Sequence, residues 1–219
     1  MTVEPASRRA YESVKDRILT GALPAGDLLS EVEIAHELDV SRTPVHEAFL
    51  RLEAEDLLRL IPRRGAVVVP VPPQEGADLL EVRRALETAA VRRLAGEAYA
   101  AARASLAERL AEAVAEQERL VPARDVAAFA VVDEAFHRAI VSASGNALAD
   151  RFYATLGDRQ RRMTIGAVGG RPDHLAVLVE EHRRLADLAV AGDPDGFDTA
   201  LVEHLDRTHD TFLARGAAR

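Results

Sequence analysis

The chain has 219 residues, contains no cysteine and carries a formal net charge of -8 at pH 7, with histidine counted as neutral. A chain of this length can form two modest domains, each with its own core. It has no run of about 18 unbroken apolar residues and no recognisable signal peptide. We therefore expect a soluble, cytoplasmic protein and exclude a membrane partner.

Two short helices separated by a tight turn are predicted within residues 30–52. Ser30 followed at the third position by Glu33 is the pattern of a capping box, which begins a helix. Pro44 falls in the first turn of the second helix, where its missing N–H costs nothing. The pattern predicts a helix-turn-helix whose second helix buries an apolar stripe and offers its other face to a partner. The polar residues off that stripe are Arg42, Thr43, His46 and Arg51.

Two β-prone runs, residues 57–61 and 66–69, follow the second helix and flank Pro62-Arg63-Arg64-Gly65. Short β-prone runs around a glycine-containing turn predict a β-hairpin. A solvated turn is the alternative interpretation of Arg63 and Arg64. Directly after a helix-turn-helix, the hairpin is better interpreted as a wing.

The acidic net charge argues mildly against nucleic acid, because a basic patch is the usual electrostatic sign of such binding. Residues 1–70 hold nine Lys or Arg and twelve Asp or Glu, so this region is not basic as a whole. Its positive charges are grouped, and a grouped face can still bind phosphates. The grouped residues are Arg8, Arg9, Arg42, Arg51, Arg63 and Arg64.

Three prolines within residues 70–73 mark a domain boundary, because they disfavour helix and strand and stiffen the chain. Beyond them alanine, leucine, arginine and glutamate dominate, and strand signals vanish. Amphipathic helices with short connections predict an all-α six-helix bundle. The expected helices are 74–102, 104–121, 124–144, 146–167, 172–191 and 194–214.

Four polar residues of the predicted bundle lie beside apolar stripe positions: Asp133, His137, His182 and His204. Asp133 and His137 are four apart and share one helix face, whereas the other two histidines come from separate helices. Imidazoles and a carboxylate converging inside a bundle are what a divalent metal ion requires. The alternative is that each histidine makes an ordinary hydrogen bond or faces solvent. The combined pattern favours a metal site.

The helix-turn-helix region also resembles a known family. The similarity covers about residues 8–70 and lies in SRTPVHEAFLRLEAEDLL followed by PRRGAVV, which resembles the winged-helix operator-binding domain of GntR-family bacterial transcription regulators. In that family the start of the second helix enters the major groove of DNA, and the hairpin tip forms the wing. The resemblance implies a DNA-binding set of Ser41, Arg42, Thr43, Arg64 and Gly65.

Two positions depart from the family pattern. His46 stands where the family usually has arginine, and Val32 stands where many members have arginine. Both differences remove a permanent positive charge from the expected DNA face, so we expect them to change affinity and sequence preference. We keep His46 and Arg51 among the candidate DNA contacts.

Residues 76–214 resemble the helical C-terminal FCD domain of the FadR subfamily within GntR. Metal-containing members use an Asp-x-x-x-His pair, a histidine after glutamate and a histidine one helix later, which match the four residues above. In that subfamily the metal and a nearby arginine hold the carboxylate of a small organic acid. Arg83 matches this arginine, and a structural ion pair with Glu87 is its alternative role. The expected cofactor is a divalent ion, Zn²⁺, Ni²⁺ or Mn²⁺.

Together these features predict a mainly α protein with a winged helix-turn-helix at residues 1–70, a linker at 71–75 and a metal- and effector-binding FCD domain at 76–219. The predicted function is a homodimeric transcription regulator, acting as a repressor, that binds operator DNA and responds to a small organic acid. A metal-dependent enzyme with a fused DNA-binding domain is the alternative, because such a metal site leaves coordination positions open. No nucleophile arrangement or phosphate-binding loop supports that alternative.

Overall fold

The computed structural model describes residues 5–217, with side chains described as far as residue 209. The chain divides after Pro70 into two compact units. The described residues form ten α-helices and one three-stranded antiparallel sheet, which confirms the mainly α fold. Within these residues we find no helix long and apolar enough to cross a membrane.

The N-terminal unit consists of three helices and a small sheet. In chain order its elements are α1 (Ala6–Leu19), β1 (Leu28–Leu29), α2 (Glu31–Glu37), α3 (Arg42–Ala54), β2 (Leu58–Ile61) and β3 (Gly65–Val68). The strand order is β1-β3-β2, and both pairings are antiparallel. Strands β2 and β3 confirm the predicted hairpin. Strand β1 was not predicted, because two residues are too few for a periodic pattern.

The helix-turn-helix is confirmed by α2 and α3. The Ser30 hydroxyl accepts a hydrogen bond from the Glu33 backbone N–H at 3.4 Å, which is the serine half of a capping box at the start of α2. The apolar stripe of α3 is fully buried and packs against α1. Packing of this stripe leaves the polar face of α3 exposed. The stripe residues are Val45, Ala48, Phe49 and Leu52.

Seven of the helices form the C-terminal unit. They are α4 (Pro73–Leu94), α5 (Ala100–Leu120), α6 (Val126–Ala143), α7 (Ala147–Ala154), α8 (Gly157–Val168), α9 (Leu175–Ala191) and α10 (Pro194–Ala217). The bundle is confirmed, but several helix boundaries differ from those expected. Helix α4 begins inside the predicted linker, because Pro73 suits the first helical position. It also ends at Leu94 rather than continuing to residue 102.

A further difference is that the helix predicted for residues 146–167 is two helices, so this unit has seven α-helices where six were expected. The backbone N–H groups of Thr155 and Leu156 each bond to the carbonyl three residues earlier, at 3.0 Å. These tighter turns end α7, and α8 begins at Gly157. The break makes α8 a separate helix, which packs against α6 and α10.

Helix α6 is the central helix of this unit. It packs against α4, α5, α7, α8 and α9. Its apolar side chains Phe129, Phe136 and Ile140 are fully buried. Asp133 and His137 lie on the same buried face of α6 as these side chains, so they lie inside the bundle.

Candidate functional site

A cleft of about 750 Å³ lies in the N-terminal unit between the start of α3 and the β2–β3 hairpin. Ser41 immediately precedes α3 as its N-cap and makes no side-chain capping bond. The cleft brings together most of the residues predicted to contact DNA. Those that line it are Arg42, Thr43, His46, Arg64 and Gly65.

The Glu31 carboxylate contacts two of these side chains. Its carboxylate lies 3.2 Å from Arg42 Nη2 and 2.8 Å from His46 Nδ1. The Glu31 side chain is 15% exposed, against 69% for Arg42 and 52% for His46. Burial opposes the ionisation of Glu31, but hydrogen bonds from His46 and Arg42 hold its pKa below the ordinary value. Sequence reasoning missed this residue, whose position at the start of α2 was its only signal.

The hairpin tip presents basic side chains to the same cleft. Arg63 has a φ of +65°, and the Arg64 backbone N–H bonds to the Ile61 carbonyl at 3.0 Å, which closes a tight turn. Gly65 has a φ of +105°, and a Cβ there would lie 1.9 Å from the Leu29 carbonyl oxygen. Only glycine fits at this position.

Arg51 is not brought to this cleft. Its guanidinium carbon lies 3.6 Å from the centroid of the Tyr11 ring, and its Nε lies 3.5 Å from a Glu55 carboxylate oxygen. These contacts within the unit account for its position. The exposed Val32, by contrast, does line the cleft.

In the C-terminal unit the four predicted metal ligands lie together and are buried. Asp133 and His137 come from α6, His182 from α9 and His204 from α10. One ligand atom from each residue lies within 4.8 Å of the others. Among the described residues this is the group of histidines and carboxylates that could hold a metal ion, and His209 is not part of it.

Each of the three histidines is oriented by a hydrogen bond at Nδ1. Because the partner is always an oxygen acceptor, Nδ1 carries the proton, and in a neutral imidazole Nε2 then keeps its lone pair. The Nε2 atoms of His137 and His182 are buried and make no well-formed hydrogen bond, and they face Asp133 Oδ1 at 3.9 Å and 3.3 Å respectively. The partners of Nδ1 are Glu87 Oε2 for His137 (2.7 Å), Gln117 Oε1 for His182 (2.8 Å) and Glu181 Oε2 for His204 (2.8 Å).

The protonation states of the cluster suit a divalent ion. Burial lowers the pKa of His137 and, against the opposing hydrogen bond to Glu181, lowers the pKa of His204 to about 4. Burial would raise the pKa of Asp133, but His182 and His137 hold it well below its usual range. Neutral imidazoles and an ionised carboxylate are the forms that coordinate metal. The residues therefore fit a metal ion with three nitrogen ligands and one oxygen ligand.

Glu87 connects this cluster to Arg83. Its carboxylate accepts hydrogen bonds from Arg83 Nε at 3.1 Å, His137 Nδ1 at 2.7 Å and the Tyr153 hydroxyl at 2.6 Å. The predicted Arg83–Glu87 ion pair is thus present and buried. Arg83 Nη2 nevertheless has no partner, so a donor remains for a ligand. The oxygen partners of the histidines were missed from the sequence, since most are long-range contacts between helices.

Comparisons with known proteins identify the family to which this chain belongs. Residues 6–68 match the bacterial regulatory proteins of the gntR family, and residues 78–207 match the FCD domain. The chain belongs to the GntR family. The predicted resemblance is thereby confirmed for both domains.

Individual GntR relatives agree with this assignment. An HTH-type transcriptional regulator of Agrobacterium vitis, from the TAR-I ttuE-ttuC' intergenic region, is 35% identical over 133 residues, covering 61% of this chain and 77% of that protein. The gluconate operon transcriptional repressor of Bacillus subtilis strain 168 is 44% identical over 87 residues, covering 40% and 35%. A GntR transcriptional regulator structure from Rhodococcus sp. RHA1 has a TM-score of 0.76 at 23% identity, covering 95% and 97%, and supports the fold.

This GntR protein is therefore a DNA-binding transcriptional regulator. The matched domains and relatives are regulators rather than enzymes, so the enzyme alternative has no support.

Glu87→Gln should destabilise the C-terminal unit by about 3–5 kcal/mol, because Arg83 would keep a buried charge without its counter-ion. Tyr153→Phe should cost only about 1–3 kcal/mol, since Glu87 keeps its other two donors. Urea unfolding of the metal-free proteins, followed by helical circular dichroism, measures both. Equal losses of unfolding free energy in the two variants would show that the charge pair with Arg83 is not what stabilises Glu87.

Proposed function

We propose that this regulator senses a small carboxylate at a divalent metal ion held by Asp133, His137, His182 and His204. The observation that carries the proposal is the convergence of three Nδ1-anchored imidazoles on one ionised carboxylate inside the bundle. Structural hydrogen bonding alone does not account for it, because the inward Nε2 atoms of His137 and His182 make no well-formed hydrogen bond. The FCD match and the bundle architecture fit the FadR subfamily.

A net positive charge supports an anionic effector. A bound divalent ion supplies two positive charges and Lewis acidity, and Arg83 adds a third positive charge. The nearest carboxylates, Asp133 and Glu87, supply two negative charges, while Glu181 is paired with Arg207. One negative charge is needed for balance, because an uncompensated buried charge is costly. A carboxylate provides it.

Arg83 supports the carboxylate class more directly. Its Nε is used by Glu87, whereas the buried Nη2 has no partner. A carboxylate oxygen would accept from this donor and gain a charge-assisted hydrogen bond. Glu87 accepts hydrogen bonds from both Arg83 and His137. It therefore fixes the position of the guanidinium that would donate to the effector carboxylate and, at the same time, the position of a proposed metal ligand.

At the N-terminal unit we propose that Arg42 reads base edges in the major groove and that Arg64 binds a phosphate beside the wing. Both line the cleft between α3 and the hairpin. Arginine can contact guanine O6 and N7 together, while phosphate contacts position the protein. We further propose a homodimer with two-fold operator half-sites, as helix-turn-helix dimers use. The repressor among the relatives supports repression as the mode of action.

Arg42→Ala should lose about 1–3 kcal/mol of discrimination at one base pair of each half-site, whereas Arg64→Ala should weaken binding similarly on all sequences. Fluorescence anisotropy measures this, with an operator selected from a random duplex library and its single-base variants at matched salt. Arg17→Ala is the charge-matched control, because Arg17 pairs with Glu37 and does not line the cleft. Unchanged base preference in Arg42→Ala would remove Arg42 from base reading.

His137→Ala and His204→Ala should each reduce the metal content, because each removes one of four converging ligands. His209→Ala is the control and should retain one ion per chain. Elemental analysis of folded protein measures occupancy. Chelation should also lower the melting temperature of the parent, since a ligand at a hundredfold excess over its dissociation constant stabilises by about 2.7 kcal/mol. Full occupancy in either ligand variant would refute this ligand set.

The proposed function itself is tested with small carboxylic acids and their neutral amides. The acids should raise the melting temperature of the metal-loaded protein and the amides should not, because only an anion balances the site. Arg83→Lys should lose much of the shift, since lysine keeps the charge opposite Glu87 but lacks the guanidinium fork. Its metal content should stay at the parental level. Equal stabilisation by amides would overturn the carboxylate proposal.

A further inference from the structure

Val32, in the first turn of α2, is an exposed apolar side chain among the residues proposed to contact DNA. It is 56% exposed and lines the cleft together with Arg42 and Thr43 from the start of α3. Single apolar residues are common on protein surfaces, and exposure alone indicates no function. Val32 differs from such residues because its exposed surface lies within the cleft.

The first turn of α2 holds Val32 in a fixed place relative to α3. The Ser30 hydroxyl caps this turn by accepting a hydrogen bond from the Glu33 backbone N–H. Glu31, the neighbour of Val32, lies 3.2 Å from Arg42 Nη2, so one carboxylate ties the two helix starts together. A valine in a helix has one strongly preferred rotamer. The methyl groups of Val32 therefore have a defined position in the cleft.

The major groove of DNA offers one apolar feature to such a side chain. Each of the four bases presents hydrogen-bonding groups there, and thymine alone adds a methyl group. Valine neither donates nor accepts a hydrogen bond, so against the other bases it would displace water without replacing the lost bonds. Contact with the thymine methyl group instead removes apolar surface of both partners from water.

The charge next to Val32 favours a base over a phosphate at this place. Hydrogen bonds from His46 and Arg42 hold the pKa of Glu31 below its ordinary value, so its carboxylate is ionised at neutral pH. A negative charge beside Val32 disfavours a phosphate there. Many GntR members have arginine at position 32, which can bind a phosphate or guanine, whereas valine can bind neither in that way.

We propose that Val32 is a specificity-determining residue that contacts the methyl group of one thymine in each operator half-site. This inference rests on the proposed docking of the cleft in the major groove, and it adds a base position to the one read by Arg42. Two competing accounts exist. Val32 packs against the deoxyribose backbone without base preference, or the methyl group of Thr43, which also lines the cleft, makes the contact instead.

The experiment uses the full chain and an operator selected from a random duplex library, in which each thymine in turn is replaced by deoxyuridine. This replacement removes the methyl group and leaves every hydrogen-bonding group in place. Fluorescence anisotropy at matched salt should find a thymine whose replacement in one half-site weakens binding of the parent about fourfold, as expected for one buried methyl group. Val32→Ala should bind the two duplexes equally.

Matched variants show whether this sensitivity belongs to Val32. Leu28→Ala also removes an exposed apolar side chain of the N-terminal unit, but Leu28 does not line the cleft. Thr43→Ser removes the methyl group of Thr43 and keeps its hydroxyl. Both variants should retain the difference of about fourfold at the same thymine. Val32→Ala should fold normally, because the side chain is exposed and alanine favours a helix.

Three outcomes would overturn this role of Val32. They are a parent that is insensitive to every thymine replacement, a Val32→Ala variant that keeps the parental sensitivity, and a control variant that loses it as well. If Arg42→Ala still changes the base preference in such a case, the failure is confined to Val32. If Arg42→Ala leaves the base preference unchanged, the proposed docking in the major groove fails with it.

Discussion

An ionised carboxylate without access to solvent organises the C-terminal unit. Glu87 on α4 is fully buried and accepts hydrogen bonds from Arg83, His137 and Tyr153. Burial would raise its pKa, but His137 and Arg83 lower it to about 2. A buried charge is costly unless it is paired and hydrogen-bonded, so α4, α6 and α7 must keep these donors in place. The same bonds turn His137 Nε2 toward the other cluster residues.

The two units use a carboxylate in a similar way. Glu31 contacts Arg42 and His46, and Glu87 accepts hydrogen bonds from Arg83 and His137. In each case the acid orients an arginine, Arg42 or Arg83, that we propose contacts a ligand. The cost is that each carboxylate offsets part of the charge it positions.

Much of this architecture could be predicted because it depends on local periodicity. The Asp133–His137 pair follows from four-residue helical spacing, and the buried stripe of α3 follows from its apolar pattern. Contacts distant in sequence could not be predicted. Strand β1 forms only because β3 is present as its partner, and Arg51 is engaged by Tyr11 on another helix.

The same limit applies within the candidate metal site. The four ligands were predictable as residue types at suitable positions, but the acceptors Gln117 and Glu181 depend on how α5, α9 and α10 pack. The break between α7 and α8 was also missed, because it contains no proline and arises from two tighter backbone turns. That break positions Gln160 and Thr164 on a separate helix.

In our proposal, three Nδ1-anchored imidazoles and one carboxylate hold a divalent ion in this unit. X-ray absorption spectroscopy at the edge of the metal retained after purification tests this ligand set. We expect a first shell of nitrogen and oxygen at about 2.0–2.2 Å if the ion is zinc, with outer-shell scattering from three imidazole rings. A shell composed of oxygen alone, or scattering from fewer than three imidazoles, would contradict it.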